Sequence, residues 1–366
     1  MGVAGATVLP ASPMAVEWGE CVLPAQPVPP ALRAELRRKI GAVPDWASRL
    51  GRSSWVAGTL AEFIEDPVAY APPKLTALVH LVVSQDNSCR YCHGVQRAVM
   101  KILGYRDDAL DRLLRDFHAT DLSPAERVAL DFARRVSRGH PRPGRAELEA
   151  VAQAGFARAA VAEIVAMVAA GNFANRVATL LALPPESLER MVAHPLFRLV
   201  RPFMARRMRP RLRKPEPPPP SNRPWGRAVA ALDDSPSAGV LRRTIDGALG
   251  SPVLPRRTKA LMLAVIARSL GCTYSEGEAR ALLEPEGFAR SDVDEVLRSL
   301  GSPRLDAREG RLLPLARETV RYQPGTIQRR VREACAAMGP DETLEAVGIA
   351  ALGNALCRLS VVLDAC

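Results

Sequence analysis

The chain has 366 residues, of which 48% are hydrophobic and 24% charged, and its formal net charge is +11. This length suits two domains, and the hydrophobic content allows a packed core, which excludes a globally disordered chain. All but five of the basic residues are arginine, and the abundance of Arg, Ala, Gly and Pro is typical of a GC-rich genome. We therefore give the positive charge little weight and expect no nucleic-acid partner.

Prolines and helical periodicity divide the chain into four parts. Residues 1–30 are rich in proline and are expected to be a flexible N-terminal segment. Helical periodicity begins near Ala31 and defines a first domain over 31–208. Residues 209–224 read RPRLRKPEPPPPSNRP, and four consecutive prolines exclude a helix interior and predict an extended linker. A second domain follows over 225–366.

Ala and Leu dominate the composition and β-branched runs are short, so the sequence predicts an all-α fold. Gly104 is a suitable end for one helix, and Ser123 with Glu126 forms a capping-box signature at the start of another. Within the first domain, periodicity predicts helices over 74–84, 89–103, 107–117, 124–138, 145–154 and 159–183.

The two domains resemble each other in sequence. Placing Cys89 on Cys272 aligns many further positions without a gap, and near the ends the offset between the copies becomes one position shorter. We predict two tandem copies of one helical domain that pack as an internal pseudo-dimer. The aligned positions are Pro72 with Pro255, Leu78 with Leu261, Gly104 with Gly287, Tyr105 with Phe288, Asp111 with Asp294, Leu114 with Leu297, Leu122 with Leu305, Glu126 with Glu309, Asn172 with Asn354, and Arg176 with Arg358.

Seven cysteines, an odd number, are scattered except for one close pair, Cys89 and Cys92. This usage indicates a reducing compartment with free thiols and one special pair. No secretory signal or uninterrupted apolar run of about 18 residues is visible, so we expect a cytoplasmic protein without a membrane span.

The residues at 86–88 are all helix-capping types, which places both cysteines in a first helical turn that favours a thiolate. The spacing of three positions puts both sulfurs on one helix face, as thiol–disulfide chemistry requires.

The segment from Ser84 to Gln96, SQDNSCRYCHGVQ, together with Phe173-Ala-Asn-Arg-Val, resembles the carboxymuconolactone decarboxylase and alkylhydroperoxidase D-like family. The resemblance covers about residues 30 to 200, with a fainter copy over about 225 to 366. It implies an all-α fold and a thiol-dependent oxidoreductase that reduces peroxides or exchanges disulfides. It also implies that Cys92 attacks the peroxide, that Cys89 resolves the sulfenic acid, and that an external thiol or protein reductant restores the pair.

The proton relay of that family is altered here. A Glu usually precedes the first cysteine by twelve positions, where this chain has Ala77, and a His usually follows the second by four, where it has Gln96. Gln96 is able to hydrogen-bond a thiolate but not to take its proton. His80 and His93 are the candidate substitutes, and Arg90 is a candidate for lowering a thiol pKa through its charge.

Other interpretations of the same residues are weaker. Cys89-Arg-Tyr-Cys92-His93 also matches a c-type haem attachment pattern, but the second copy keeps this scaffold without the His. No second CxxC or HxxxH completes a zinc site, so neither a metal nor a cofactor is expected. Two other functions remain as alternatives. One is a non-catalytic helical module for binding or assembly, and the other is a cofactor-free lyase of the decarboxylase branch.

The second copy is predicted to be structural, and the chain to be a possible homo-oligomer. Ser275 replaces the second cysteine, so Cys272 has no local partner for a disulfide. The remaining cysteines, at 21, 335, 357 and 366, are expected to have no role. The stretch 196–214 mixes apolar and basic residues, and we expect its apolar side to dock on the first domain, with an anionic membrane surface as the alternative.

Overall fold

The computed structural model describes residues 16–65, 67–209 and 211–365, with only the backbone of 364 and 365, and every regular element within these ranges is a helix. The predicted all-α class is confirmed. As far as Met208 the α-helices are α1 (Pro30–Ile40), α2 (Ala47–Leu50), α3 (Ser54–Phe63), α4 (Pro73–Asp86), α5 (Arg90–Ile102), α6 (Asp107–Arg115), α7 (Pro124–Arg138), α8 (Arg145–Gln153), α9 (Arg158–Leu180), α10 (Ser187–Ala193) and α11 (Phe197–Met208).

The six helices predicted for the first domain correspond to α4 through α9, and their ends differ from the predicted ones by at most three positions. The capping box of Ser123 and Glu126 is present at the start of α7. The later helices are α12 (Gly226–Ala230), α13 (Pro236–Gly250), α14 (Arg256–Ser269), α15 (Thr273–Leu283), α16 (Arg290–Ser299), α17 (Ala307–Glu318), α18 (Pro324–Met338) and α19 (Pro340–Leu359), followed by a 3₁₀ helix over Ser360–Ala365.

The core is organised around two long helices, α9 and α19, which pack along each other. Helices α4, α5 and α7 surround α9, whereas α14 and α15 pack on α19 and α17 packs on α14. The buried apolar side chains form one continuous cluster. The stretch Pro340–Leu363 is long and apolar enough to cross a membrane, but 94% of its apolar window is buried inside the protein, as in a core helix.

Two buried arginines make reciprocal hydrogen bonds between α9 and α19 and the helices opposite. Arg176 Nε donates to the carbonyl of Thr319 at 3.1 Å, and Arg358 Nε donates to the carbonyl of Ser137 at 2.7 Å. Burial lowers the pKa of both guanidinium groups. The offset that aligns the two donors also aligns the two acceptors, so each half of the chain makes the same contact to the other.

A second matched pair is acidic. Glu163 on α9 is fully buried, and its carboxylate accepts the three consecutive main-chain N–H groups of residues 69–71 at 2.7 to 2.8 Å. Glu345 occupies the corresponding position on α19, is equally buried and forms an ion pair with the buried Lys259 at 2.7 Å. Glu345 also accepts the indole N–H of Trp55 at 2.6 Å, which ties α19 to α3.

The segments expected to be loose lie against the helices where they are described. Residues 16–29 contain no helix, yet Leu23 is fully buried and the amide of Val22 donates to the carbonyl of Leu181. Residues 1–15 fall outside the described part of the chain. In the proline-rich stretch after α11, the amide of Arg213 donates to the carbonyl of Val68.

Helix α11 does not dock its apolar side, so that prediction was wrong. Phe197 at its start is buried, but Leu199 is 78% exposed and Phe203 is 73% exposed. The exposed apolar residues, which include Leu196 and Val200, are spaced by three or four positions and therefore share one helix face. The sequence pattern identified the apolar face of α11 correctly, but it gave no information about whether that face is covered.

Candidate active site around Cys89 and Cys92

Cys89 is itself the N-cap of α5, and its Sγ accepts the main-chain N–H of Cys92 at 3.3 Å. The residues that were expected to cap this helix make other contacts instead. Helix α4 continues through Asp86, whose carboxylate pairs with Arg138 at 3.1 Å, and the side-chain amide of Asn87 turns back to the carbonyl of Val83. The capping group of the helix is therefore a sulfur, which places that sulfur where the helix dipole favours negative charge.

The turn that delivers Cys89 has a left-handed residue at Ser88, with φ of 49°. Gly271 occupies the corresponding position directly before Cys272 and also has a left-handed backbone, with φ of 64°. Only glycine adopts this conformation without steric cost. The two turns thus have the same backbone geometry, although only the turn before Cys272 has the glycine that this conformation favours.

The surroundings of Cys89 favour its thiolate. Burial opposes ionisation most strongly, but hydrogen bonds from the Cys92 thiol and from main-chain amides of the first turn outweigh it. The hydroxyl of Thr179 on α9 also faces this sulfur. Together these donors hold the pKa of Cys89 below its ordinary value.

Cys92 has the opposite tendency. Burial first, and then the neighbouring Cys89, raise the pKa of Cys92 well above its ordinary value, although the side chain of Asn175 opposes this. Cys89 is fully buried, whereas Cys92 is 9% exposed and is the sulfur nearer to solvent. Cys89 at the cap is therefore the cysteine that ionises more readily, and Cys92 is the one that keeps its proton. Both cysteines are free thiols in this structure.

The structure does not place His80 against the cysteines. His80 lines a small apolar crevice with Ala166 of α9, and its ring lies near Gly171. Thr179, which faces Cys89, is eight positions after Gly171 on α9. This separation corresponds to about 12 Å at about 1.5 Å per residue. The crevice therefore lies well away from the two sulfurs.

His93 is buried on another side of α5. It is 2% exposed, and its Nδ1 has no hydrogen-bond partner among the described residues. Burial, and then the charge of Arg97, lower the pKa of His93 to about 4, so the ring is neutral near pH 7. Gln96 is half-buried one turn after Cys92, and none of the hydrogen bonds described for either cysteine involves it.

The tyrosine between the cysteines anchors the helix start. The hydroxyl of Tyr91 donates to Glu186 at 2.6 Å, and the same carboxylate accepts the main-chain N–H groups of Asp45 and Trp46. Burial raises the pKa of Glu186, with hydrogen bonds from Tyr91 and these amides opposing it. Sequence reasoning missed this contact because Glu186 lies 95 residues away.

A residue from the second half also reaches the first pair. Tyr322 donates from its hydroxyl to the carbonyl of Asn87, two residues before Cys89, at 3.3 Å. The side chain of Asn87 meets Asn172 and Asn175 on α9 at 3.3 Å. The site is thus built from both halves of the chain, and nothing in the local sequence around residue 322 indicated this.

The second half also brings two cysteines together, although Cys272 has no local partner in the sequence. Cys272 occupies the N-cap position of α15, and the hydroxyl of Ser360 lies 3.0 Å from its sulfur and donates to the carbonyl of Cys357 on α19 at 2.8 Å. The offset that places Asn172 on Asn354 aligns Cys357 with Asn175, the residue beside Cys92. The sequence comparison missed the pair because the second sulfur lies on a different helix.

Within the described residues, no group of three or more His, Cys, Asp or Glu side chains is arranged to hold a metal ion. No known protein family and no curated protein matches the chain.

Proposed function

We propose that the protein is a thiol-dependent oxidoreductase that reduces small hydroperoxides through Cys89 and Cys92. The observation that carries the proposal is the sulfur of Cys89 at the helix cap, accepting the N–H of Cys92 with the Cys92 thiol beside it. This arrangement stabilises a thiolate next to a second sulfur, and a thiolate is the reactive form of cysteine. The resemblance to alkylhydroperoxidase D-like proteins points to the same chemistry.

In this proposal Cys89 attacks, which reverses the order that the resemblance implies. Its thiolate attacks the terminal oxygen of the hydroperoxide, the O–O bond breaks as the S–OH bond forms, and the alkoxide leaves as an alcohol after taking a proton from water. Cys92 then attacks the resulting sulfenic acid, a disulfide forms, and the hydroxyl leaves as water with the proton of Cys92. The altered relay supports this order, because Ala77 and Gln96 leave Cys92 without a proton acceptor.

An external thiol then restores the pair. The reductant attacks Cys92, the more exposed sulfur, and releases Cys89, whose lowered pKa makes it the better leaving group. The low exposure of both sulfurs favours a small peroxide over a bulky disulfide as the oxidising substrate. The expected cytoplasmic location would supply low-molecular-weight and protein thiols as reductants.

We further propose that residues 31–208 and 225–366 are two copies of one domain packed as an internal pseudo-dimer. The reciprocal contacts of Arg176 with Thr319 and of Arg358 with Ser137 support this, since an isologous interface repeats each contact. The matched glutamates on α9 and α19 are a second, independent support.

Single cysteine variants test the order of reaction. In Cys92→Ser, hydrogen peroxide should leave a sulfenic acid on Cys89 that a dimedone probe traps, whereas Cys89→Ser should give at least about tenfold slower trapping on Cys92. Cys335→Ser, which removes a partly buried cysteine outside both pairs, is the matched control and should keep the wild-type rate of peroxide consumption. Equal and negligible trapping in both variants would favour a non-catalytic helical module.

A further inference from the structure

Cys272 and Cys357 meet between α15 and α19 in the second half of the chain. The hydroxyl of Ser360 lies 3.0 Å from the sulfur of Cys272 and donates to the carbonyl of Cys357 at 2.8 Å, so the two cysteines are neighbours, and both are free thiols. Ser275 accepts the indole N–H of Trp225 at 3.1 Å, and its side chain helps to lower the pKa of Cys272. Two free cysteines from different elements of the fold therefore lie next to each other.

A cation from the first half completes this site. Arg142, in the connection between α7 and α8, places Nη1 3.3 Å from the sulfur of Cys272. The same Nη1 lies 3.0 Å from the hydroxyl of Ser360, which itself is 3.0 Å from that sulfur. The hydrogen bond from Cys357 lowers the pKa of Cys272 to about 5, although burial opposes this.

We propose that Cys272 and Cys357 form a second redox-active dithiol, which a small hydroperoxide such as hydrogen peroxide oxidises to an interhelical disulfide. The inference shares no residue with the Cys89 site and does not depend on it. The exposed fractions of Cys272 and Cys357 are 1% and 5%, which excludes a protein disulfide as the oxidant and leaves a small molecule.

The step balances with the peroxide as the oxidant. The Cys272 thiolate attacks one peroxide oxygen, the O–O bond breaks, and the departing oxygen leaves as water or an alcohol after taking a proton. Cys272 is oxidised to a sulfenic acid and the peroxide is reduced. The sulfur of Cys357 then forms the S–S bond as the S–OH bond breaks, and the hydroxyl leaves as water with the proton of Cys357.

The comparison between the halves explains how this pair arises. In the alignment of the two copies, Ser275 stands where Cys92 stands and Cys357 stands where Asn175 stands. In each half the helix cap carries a cysteine, and the second sulfur comes from α5 in one half and from α19 in the other. The number of sulfurs at the site is the same in both halves, while the source of the second one differs.

Disulfide mapping in the Cys89→Ser/Cys92→Ser variant isolates the second pair from the first. After one molar equivalent of hydrogen peroxide and alkylation, the peptide with Cys272 should be linked to the peptide with Cys357. Trypsin alone leaves Cys335 and Cys357 on one peptide, so cleavage after Glu345 is added to separate them. The same link is expected in the wild-type chain, which keeps the test valid if the variant folds poorly.

Arg142→Met should slow formation of this link about tenfold, because the neighbouring positive charge no longer favours the thiolate. Arg145→Met, a change three residues later at the first position of α8, where the side chain pairs with Glu149, is the matched control and should leave the rate unchanged. Two results would overturn the proposal. One is complete alkylation of both thiols after peroxide treatment, and the other is oxidation of Cys272 to a sulfinic acid without a link to Cys357.

Discussion

The hydroxyl of Tyr322 donates to the main-chain oxygen of Asn87 at 3.3 Å, although 235 residues separate them. The contact joins a tyrosine from the second half to the turn that leads into the cysteine pair of the first. Arg142 has the converse relation to Cys272, at 3.3 Å. Each dithiol is therefore completed by a residue from the opposite half, and neither half contains a whole site.

Replacing Tyr322 by Ala should open the Cys89 site to solvent. Because Tyr322 contacts the turn just before Cys89, we expect alkylation of Cys92 by iodoacetamide to become about tenfold faster when the ring is removed. Tyr70→Ala is the control, since its hydroxyl bonds to Asp234 at an exposed position. An unchanged alkylation rate in Tyr322→Ala would mean that this ring does not limit access.

Replacing Arg176 by Met should lower the free energy of unfolding by about 3 kcal/mol, because hydrogen bonds to charged groups are worth about 1.5–3 kcal/mol each and buried carbonyls would lose their donor. The affected acceptors are the carbonyls of Thr319 and Val320. Urea denaturation measures the change, with the exposed Arg115→Met as the control. A loss below about 1 kcal/mol would argue against a structural role for the reciprocal arginines.

The matched turns before the two cap cysteines give a paired prediction. Ser88→Gly should raise the free energy of unfolding by up to about 1 kcal/mol, because glycine tolerates φ of 49° without steric cost. Gly271→Ala should lower it by about the same amount, and no neighbouring atom within 4 Å complicates that substitution. Thermal unfolding of both variants is the measurement, and changes of the same sign would contradict the paired geometry.

His93 should make the protein less stable in mild acid. Its folded pKa is lowered to about 4 from an ordinary 6.5, so the unfolded chain binds more protons than the folded chain between these values. Stability contributed by the neutral ring is therefore present above about pH 6.5 and is lost as the pH falls toward 4, with a total of about 3 kcal/mol.

Urea denaturation between pH 4 and 7 checks this slope. His93→Gln should reduce the pH dependence, whereas His118→Gln, at an exposed histidine beside Asp131, should preserve it. A nuclear magnetic resonance titration in which the His93 ring protonates near pH 6.5 would refute the prediction.

Local sequence determined much of the fold but little of the site. Helices α4 through α9 were predictable because the apolar period, Gly104 and the Ser123 capping box act within a few residues. The cap of α5 was assigned to 86–88 because those residue types usually cap, but Asp86 is committed to Arg138. The sequence predicted a cysteine-bearing helix start without revealing that the sulfur is the cap.

The contributions of Tyr322, Arg142 and Cys357 were not predictable from the sequence, because each depends on how distant helices pack. His80 was chosen for its spacing along one helix. Spacing does not show which neighbouring helix that face contacts, and the side chain of His80 lies in an apolar crevice. Helix α11 illustrates the same limit, since its apolar face was identified and its exposure was not.

The central claim is that Cys89 and Cys92 cycle between dithiol and disulfide. Trypsin separates the two cysteines onto peptides 75–90 and 91–97, because cleavage occurs after Arg90. After one molar equivalent of hydrogen peroxide, the account predicts that mass spectrometry finds these peptides joined and that dithiothreitol separates them. Recovery of both peptides unlinked and fully alkylated after peroxide treatment would contradict it.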